Sequence, residues 1–172
     1  MDFASKLGAS YTQVKEQLKI KTITIENGEN KFNLKVRIPL KAEMEGINKD
    51  INNPPQALID KYYKDISDPI KETAAKAGVD ALQTINKDQE YITITDDDVV
   101  LNGNSCKQYA LFSAMWHVKV EKYFHLLVSE IAEPVNESFE QLMGYFPEEV
   151  IKQIVEEIEK AIKPDYNHVK KN

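Results

Sequence analysis

The sequence predicts an α+β protein, predominantly α-helical, in which an N-terminal β-hairpin packs on a bundle of about five to seven helices with one long central helix. Two patterns predict this class: strict alternation of apolar and polar residues near the start, and apolar residues three and four apart over much of the rest. The 172 residues, 42% of them hydrophobic and 29% charged, suffice to bury a core. We expect one domain over residues 1–172, with a hairpin at about 19–38, a helical part at about 39–90, short strands at about 91–101, C-terminal helices at about 105–163 and a flexible tail at 164–172.

The hairpin has the clearest local signal. Apolar spacing over residues 3 to 18 first predicts a short amphipathic helix, and two β-like segments, KIKTITIE and KFNLKVRIP, then flank NGEN. In the second segment Phe32, Leu34, Val36 and Ile38 alternate with polar residues, and Asn27-Gly28 suits a tight turn. The apolar face must cover a helix or a partner chain, because an isolated hairpin is marginally stable in water.

The middle of the chain predicts three helices. LKAEMEGINKDI reads as a short helix with Leu40, Met44 and Ile47 directed inward, and Pro54-Pro55 suits the start of the next. Asp68-Pro69 is expected to begin a third, alanine-rich helix with Gly78 in its middle.

Short strands at 91–95 and 98–101, followed by an Asn102-Gly103 turn, precede the longest predicted helix, which Ser105 or Asn104 caps and which runs to about 132. Its main apolar stripe predicts the centre of the core and comprises Tyr109, Phe112, Trp116, Val120, Tyr123, Leu127 and Ile131. Two more helices are expected after Pro134, one capped by Asn136 and one opened by Pro147.

The composition of the chain argues against several classes of function. A net charge of −6 argues against a nucleic-acid binder that works by phosphate neutralisation. No segment has the length of a signal peptide's apolar run or of a membrane span, so we expect neither secretion nor insertion into a membrane. The single cysteine, Cys106, cannot form an internal disulfide; it is expected to be a small residue in the first turn of a helix rather than a catalytic thiol.

A candidate metal motif lies in WHVKVEKYFH, where His117, Glu121 and His125 are four residues apart. Ligands at i and i+4 can share one ion, but the third position drifts around the helix axis by about 80 degrees. The zinc-protease pattern is also broken, because no glutamate follows His117 directly and residue 121 is a glutamate and not a histidine. We therefore expect a solvated polar strip, no metal and no cofactor, and alanine at either histidine is expected to leave the protein folded.

Two charged segments, the aspartates at 96–98 and the cationic face of the hairpin, are also expected to lack a metal or catalytic role. Asp96-Asp97-Asp98 lacks the glycine and glutamate spacing of a calcium loop and is expected to be a charged turn. The cationic hairpin face, with Lys31, Lys35 and Arg37, is expected to be solvated, or to meet an acidic partner or the acidic last helix. No phosphate-binding loop or nucleophile elbow occurs, so the chain is not expected to be an enzyme.

The segment KVRIP runs into an acidic helix, and PVNESFEQLMGYFPEEVIKQIVEEI lies near the end. This order of parts resembles that of the tail assembly chaperones of long-tailed bacteriophages. The resemblance implies a largely helical, self-associating protein of the infected bacterial cytoplasm that is missing from the mature virion. It further implies binding and solubilising the tape-measure protein and helping to recruit tail-tube protein. It also raises the hypothesis of a frameshifted longer form at Lys170-Lys171-Asn172.

Exposed apolar faces on the hairpin and on the last helix suit binding to another protein's helices. The candidate partner-binding residues are Phe32, Leu34, Val36, Ile38, Ile151, Ile154, Ile158 and Ile162. The alternative function is a structural tail completion or adaptor protein retained in the virion, and a helix-borne metal-dependent enzyme is a distant third.

Overall fold

A computed structural model describes residue 8 and residues 19–78, 92–129 and 135–163. The predicted N-terminal helix, the chain after Gly78 up to residue 91 and the predicted tail lie outside the described residues. Of the described residues 59% are helical, and their mixed α+β structure agrees with the predicted class, although the helices are fewer than the sequence patterns predict. Its compact units are Met1–Ile47 with Lys119–Asn172 (the first unit) and Asn48–Val118 (the second unit). One domain over the whole chain stays a prediction.

The secondary-structure elements of the described residues follow in chain order. They are β1 (Ile20–Asn27), β2 (Asn30–Arg37), α1 (Lys41–Asn52), α2 (Gln56–Ala77), β3 (Ile92–Ile94), β4 (Val99–Leu101), β5 (Asn104–Ser105), α3 (Cys106–Phe124), β6 (Leu127–Val128), α4 (Phe139–Tyr145) and α5 (Glu148–Ile162).

The predicted hairpin is confirmed. β1 and β2 pair antiparallel from Ile20 opposite Arg37 to Asn27 opposite Asn30, so the turn is Gly28-Glu29. Gly28 has a φ of 62°, which glycine adopts without a steric cost. The register places Ile23 opposite Leu34 and Ile25 opposite Phe32, so both strands present apolar side chains on one face.

The last helix covers this hairpin within the first unit. α5 packs against β1, and its side chains at 151, 154 and 158 are fully buried, as are Ile25 and Val36 of the hairpin. Burying isoleucine and valine side chains stabilises the fold by roughly 1.5–3 kcal/mol each before entropy is counted. The predicted apolar stripe of α5 is therefore part of this core.

The sheet of the first unit has the order β1-β2-β6, and its third strand is short. β6 pairs only with Lys35 and Val36 of β2. Within the described ranges, no strand lies beside the outer edge of β2 over residues 30–34. Lys31 and Lys35 are exposed on the polar face of this edge.

The residues around Pro69 form one helix where two were predicted. α2 runs without interruption from Gln56 to Ala77 with Pro69 inside it, and it ends at Gly78, whose φ is 82°. The prediction that Pro69 begins a helix, and that Gly78 lies in its middle, is wrong. Ser67, two residues before the proline, is fully buried, so this part of α2 is packed against the rest of the second unit.

Replacing Pro69 with alanine is expected to raise the free energy of unfolding by about 1–2 kcal/mol, because alanine restores the main-chain N–H that an interior helical proline lacks. Urea denaturation followed by circular dichroism measures the change. The matched control is Ala75→Ser, at another exposed position of the same helix, which should change stability by less than about 0.5 kcal/mol. A destabilised Pro69→Ala variant would contradict this account.

The small sheet of the second unit matches the predicted strands and adds one. β3, β4 and β5 form an antiparallel sheet in that order. Asn102 and Gly103 make the predicted turn with φ values of 50° and 77°. The third strand, Asn104–Ser105, is missing from the sequence-based interpretation because two residues carry no readable alternation.

The central helix is shorter than predicted, and α2 rather than α3 is the longest helix of the described residues. α3 ends at Phe124, since Leu127 and Val128 pair with β2 and the carbonyl of Leu126 accepts a hydrogen bond from the N–H of Arg37. Strand pairing thus satisfies main-chain groups that a continued helix would have satisfied internally. The placement of Leu127 on a helical stripe is wrong.

The buried side of α3 also differs from the prediction. Tyr109 and Phe112 are 44% and 55% exposed, so they are not core residues of the second unit. Ala110 and Ala114 are fully buried instead. Small side chains permit close approach of neighbouring backbone, which explains why they rather than the aromatic rings face the interior.

Three further predictions concern residues next to the starts of α1, α4 and α5. Leu40 precedes α1 and is 64% exposed, so its predicted inward orientation is wrong. Ser138 rather than Asn136 caps α4, where its hydroxyl accepts from the N–H of Gln141 and the Gln141 side chain accepts from the N–H of Ser138. Pro147 begins α5, as predicted.

Two ion pairs of the first unit depend on glutamates with altered pKa values. Arg37 donates two hydrogen bonds to Glu43, at 2.8 Å and 2.6 Å, and these lower the pKa of the Glu43 carboxyl. The Lys119 ammonium donates to Glu159 at 2.8 Å and, together with Lys163, lowers the pKa of that carboxyl. Both glutamates therefore retain their charge to a lower pH than an isolated glutamate.

Acid is expected to weaken the first unit through these pairs. A carboxyl whose folded-state pKa is lowered contributes stability that is present above its unfolded pKa, about 4.3, and is lost as the pH falls through the folded value. Since both pairs are partly exposed, each contributes about 1 kcal/mol or less. The free energy of unfolding, measured by urea titration from pH 6 to pH 3, should fall below about pH 4.3. Glu159→Gln should reduce that slope, whereas the exposed Glu149→Gln should not.

Candidate functional site

The three residues of the candidate metal motif have different environments. His117 is 7% exposed, and its Nδ1 lies 3.0 Å from the hydroxyl oxygen of Tyr62 on α2, both within the second unit. The two rings meet edge to face with centroids 6.0 Å apart. The predicted solvated strip is therefore wrong at His117, which is a buried, hydrogen-bonded histidine.

The other two motif residues belong to the first unit. Glu121 accepts a hydrogen bond from the N–H of Phe139 at 2.8 Å, at the start of α4. His125 lies in the turn after α3 and is exposed, as the solvated interpretation expects. Because α3 ends at Phe124, the uninterrupted helix that a ligand triad from 117 to 125 assumes does not reach its third member.

Asp98, of the acidic run, has a structural role in the second unit. Its carboxylate accepts hydrogen bonds from the Ser105 hydroxyl, from the N–H of Val99 at 2.8 Å and from the N–H of Lys107 at 3.3 Å. Partial burial raises the pKa of Asp98, but these bonds outweigh it, and the net shift is downward. Ser105 also accepts from the N–H of Gln108 at 3.2 Å, so Ser105 caps α3 and Asp98 supports the cap.

Cys106 is the first residue of α3 and is fully buried. Burial and the nearby Asp98 carboxylate raise the pKa of its thiol. Since the thiolate is the reactive form, both effects oppose nucleophilic chemistry at this sulfur. This placement agrees with the predicted small residue in a helical first turn.

The cationic face of the hairpin has its own partners. Lys31 pairs with Glu26 at 2.6 Å within the hairpin, and Arg37 pairs with Glu43. Lys21 contacts the last helix, α5: its ammonium group donates a hydrogen bond to the main-chain carbonyl of Ala161 at 2.7 Å. A cation at a helix C terminus is favourable because the unpaired carbonyls carry partial negative charge.

The eight candidate partner-binding residues divide into two groups. Four are fully buried inside the first unit and are not surface residues of this structure: Val36, Ile151, Ile154 and Ile158. The other four are half-buried: Phe32, Leu34, Ile38 and Ile162. Whether any of the eight contacts a partner stays a prediction, and the surface available for one is narrower than the sequence indicates.

A cavity of about 410 Å³ in the first unit, here called the apolar pocket, lies where β2 and β6 meet α4. Its walls are mainly apolar and are formed by Leu34, Phe124, Leu127, Val128, Val135, Leu142, Tyr145, Phe146 and Ile154, together with Lys35, Ser129 and Glu137. The volume exceeds that of a cavity of about 150 Å³ that admits benzene. Tyr145, at one wall, is 73% exposed, and tyrosine is among the residues that contribute most to binding at protein interfaces.

A second cavity of about 460 Å³, here called the lysine groove, lies between the residues that follow β2 and the end of α5. Three lysines accompany an apolar floor, and the lining comprises Lys21, Ile38, Pro39, Lys41, Met44, Ala161, Ile162 and Lys163. All of these residues belong to the first unit. Two of the four half-buried candidates, Ile38 and Ile162, thus lie together.

Most of the apolar pocket is not evident from sequence. Leu127 and Val128 line it because they form a strand, whereas the short apolar run from Leu126 to Val128 suits a helix equally well. Tyr145 and Phe146 precede Pro147, and this aromatic pair at a helix end is the one local signal that could have indicated a surface feature.

None of the helices within residues 19–78, 92–129 and 135–163 is long and apolar enough to cross a membrane. No protein-family model, curated protein or solved structure matches the chain.

Proposed function

We propose that the chain is a non-enzymatic tail assembly chaperone of a long-tailed bacteriophage. It binds and solubilises the tape-measure protein and helps to recruit tail-tube protein in the host cytoplasm. The resemblance in the order of sequence motifs supports this function. The apolar pocket of the first unit supports it most directly, because an open apolar cavity with an exposed aromatic wall suits the apolar face of another protein's helix.

The shape and lining of the apolar pocket favour binding of apolar side chains over catalysis. In the apolar pocket the wall is mostly aliphatic and aromatic, and its polar side chains are one lysine, one serine and one glutamate. A helix binding there would insert apolar residues spaced three and four apart, and Leu34 of the hairpin would contact them. Leu34 and Ile154 are the two pocket residues shared with the candidate partner-binding set.

Co-expression with the tape-measure protein of the same phage or prophage tests the proposal. The chain should increase the soluble fraction of the tape-measure protein and co-purify with it. Tyr145→Ser removes an exposed aromatic side chain at the edge of the pocket and leaves the core intact. It should weaken binding of the tape-measure protein about tenfold, as expected for the loss of an aromatic contact residue. The control is Leu40→Ser, which removes a comparably exposed apolar side chain outside the pocket.

Equal solubilisation with and without the chain would contradict the proposal. Mass spectrometry of purified virions separates it from the alternative of a completion or adaptor protein: a chaperone is missing from the particle, whereas a structural component is present in stoichiometric amount.

A further inference from the structure

The lysine groove of the first unit combines an apolar floor with a surplus of positive charge. Ile38, Met44 and Ile162 are half-buried where they line it, so part of each apolar side chain remains in contact with solvent. Among the residues that the structure describes, no aspartate or glutamate lines this groove. The groove is therefore locally cationic in a chain whose net charge is −6.

Two of the three groove lysines keep most of their charge despite their contacts within the first unit. Lys163 lies 3.2 Å from the Glu159 carboxylate, but the same carboxylate accepts a hydrogen bond from Lys119 at 2.8 Å. One negative charge thus serves two cations. Lys21 donates to the main-chain carbonyl of Ala161, and a carbonyl oxygen carries only a partial charge.

The third lysine, Lys41, is held least. Its side chain is 92% exposed, and its ammonium lies 3.9 Å from the Glu45 carboxylate, beyond the distance of a normal hydrogen bond. An exposed ion pair of this kind contributes little free energy, because water screens both charges. The Lys41 ammonium can therefore turn to a carboxylate that enters the groove.

We propose that the lysine groove docks an acidic amphipathic segment of a partner protein, in which apolar side chains three and four apart are separated by aspartate or glutamate. The apolar side chains contact the floor, and the carboxylates pair with the lysines. Two copies of this chain, each with a net charge of −6, repel one another, which favours a different protein as the partner.

This surface is distinct from the apolar pocket, since the described residues that line the two cavities are all different. The inference goes beyond the proposed function and does not depend on it. A second partner could therefore bind the first unit while the apolar pocket is occupied.

Three acetylated and amidated peptides of equal length, LEELLEEL, LQQLLQQL and LKKLLKKL, separate the charge from the apolar contact. Each is titrated into the full chain labelled with ¹³C at the methyl groups of isoleucine, leucine, valine and methionine. LEELLEEL should shift the signals of Ile38, Met44 and Ile162. It should bind about tenfold more tightly than LQQLLQQL, the combined effect of three modest ion pairs, and LKKLLKKL should bind most weakly. At about 1 M ionic strength, where the Debye length is about 3 Å, most of this difference should disappear.

Lys41→Gln should weaken binding of LEELLEEL about threefold, within the contribution of one exposed ion pair, and leave LQQLLQQL unchanged. Lys49→Gln removes the same charge from an exposed position of α1 outside the groove and should retain the full preference, which controls for net charge. Met44→Gln makes the floor polar and should weaken both peptides by a similar factor.

Equal affinity for LEELLEEL and LQQLLQQL would overturn the inference, as would an affinity for LEELLEEL that Lys41→Gln leaves unchanged. Shifts confined to Leu34 and Leu127 would place the peptide in the apolar pocket and would also overturn it. If the groove signals shift when the protein alone is concentrated, the occupant is a second copy and the proposed partner is wrong. Tighter association with phosphatidylglycerol vesicles than with LEELLEEL would make the groove a lipid-binding surface and overturn the proposal in the same way.

Discussion

Alanine in place of His117 is expected to lower the free energy of unfolding by about 2–3 kcal/mol, although the sequence pattern alone predicts no effect. The imidazole is buried and lies 3.0 Å from the Tyr62 hydroxyl, so its removal leaves a void and breaks this hydrogen bond. Urea or thermal denaturation of the purified variant measures the loss.

Two controls separate the buried contact from a general effect of losing a histidine. His125→Ala removes an exposed imidazole and should change stability by less than about 0.5 kcal/mol. Tyr62→Phe removes the other half of the same hydrogen bond, at a cost of about 1 kcal/mol, and the double variant should show less than the sum of the two losses. A stable His117→Ala protein would mean that this side chain is solvated after all.

The second large effect is expected at Ile151. This side chain is fully buried on α5, and its replacement by alanine should cost about 3 kcal/mol, within the range of about 2–5 kcal/mol for isoleucine in a packed core. The measurement is made on the isolated protein, with no partner present. A residue reserved for partner binding would leave that stability unchanged.

The control for Ile151 is Leu40→Ala, which removes an aliphatic side chain of the same size from a position that is 64% exposed. Its loss should change the free energy of unfolding by less than about 0.5 kcal/mol. If the two variants proved equally stable, the assignment of α5 to the core of the first unit would be wrong.

Local patterns predicted the elements whose signal is complete within a few residues. The hairpin follows from period-two alternation and from a glycine at the turn, and α5 follows from a wide apolar stripe after Pro147. Neither requires knowledge of the rest of the chain. The start of α3 is similarly local, because Ser105 supplies its own cap.

The errors arise where tertiary structure decides between two locally acceptable outcomes. Pro69 can begin a helix or, at a cost, be held inside one by packing. The spacing of residues in α3 orders them around the axis without stating which arc is buried, and Ala110, Ala114 and His117 face the interior where aromatic rings were expected. The apolar pocket depends on the pairing of β6 with β2, a contact between segments about 90 residues apart.

The short third strand of the first sheet has a consequence for how copies of this chain meet. A free strand edge is a template onto which a second molecule can extend the sheet. Among the described residues that edge is open over residues 30–34, and Lys31, which pairs with Glu26, is exposed there. A charged side chain at such an edge disfavours extension of the sheet by a second copy of the chain.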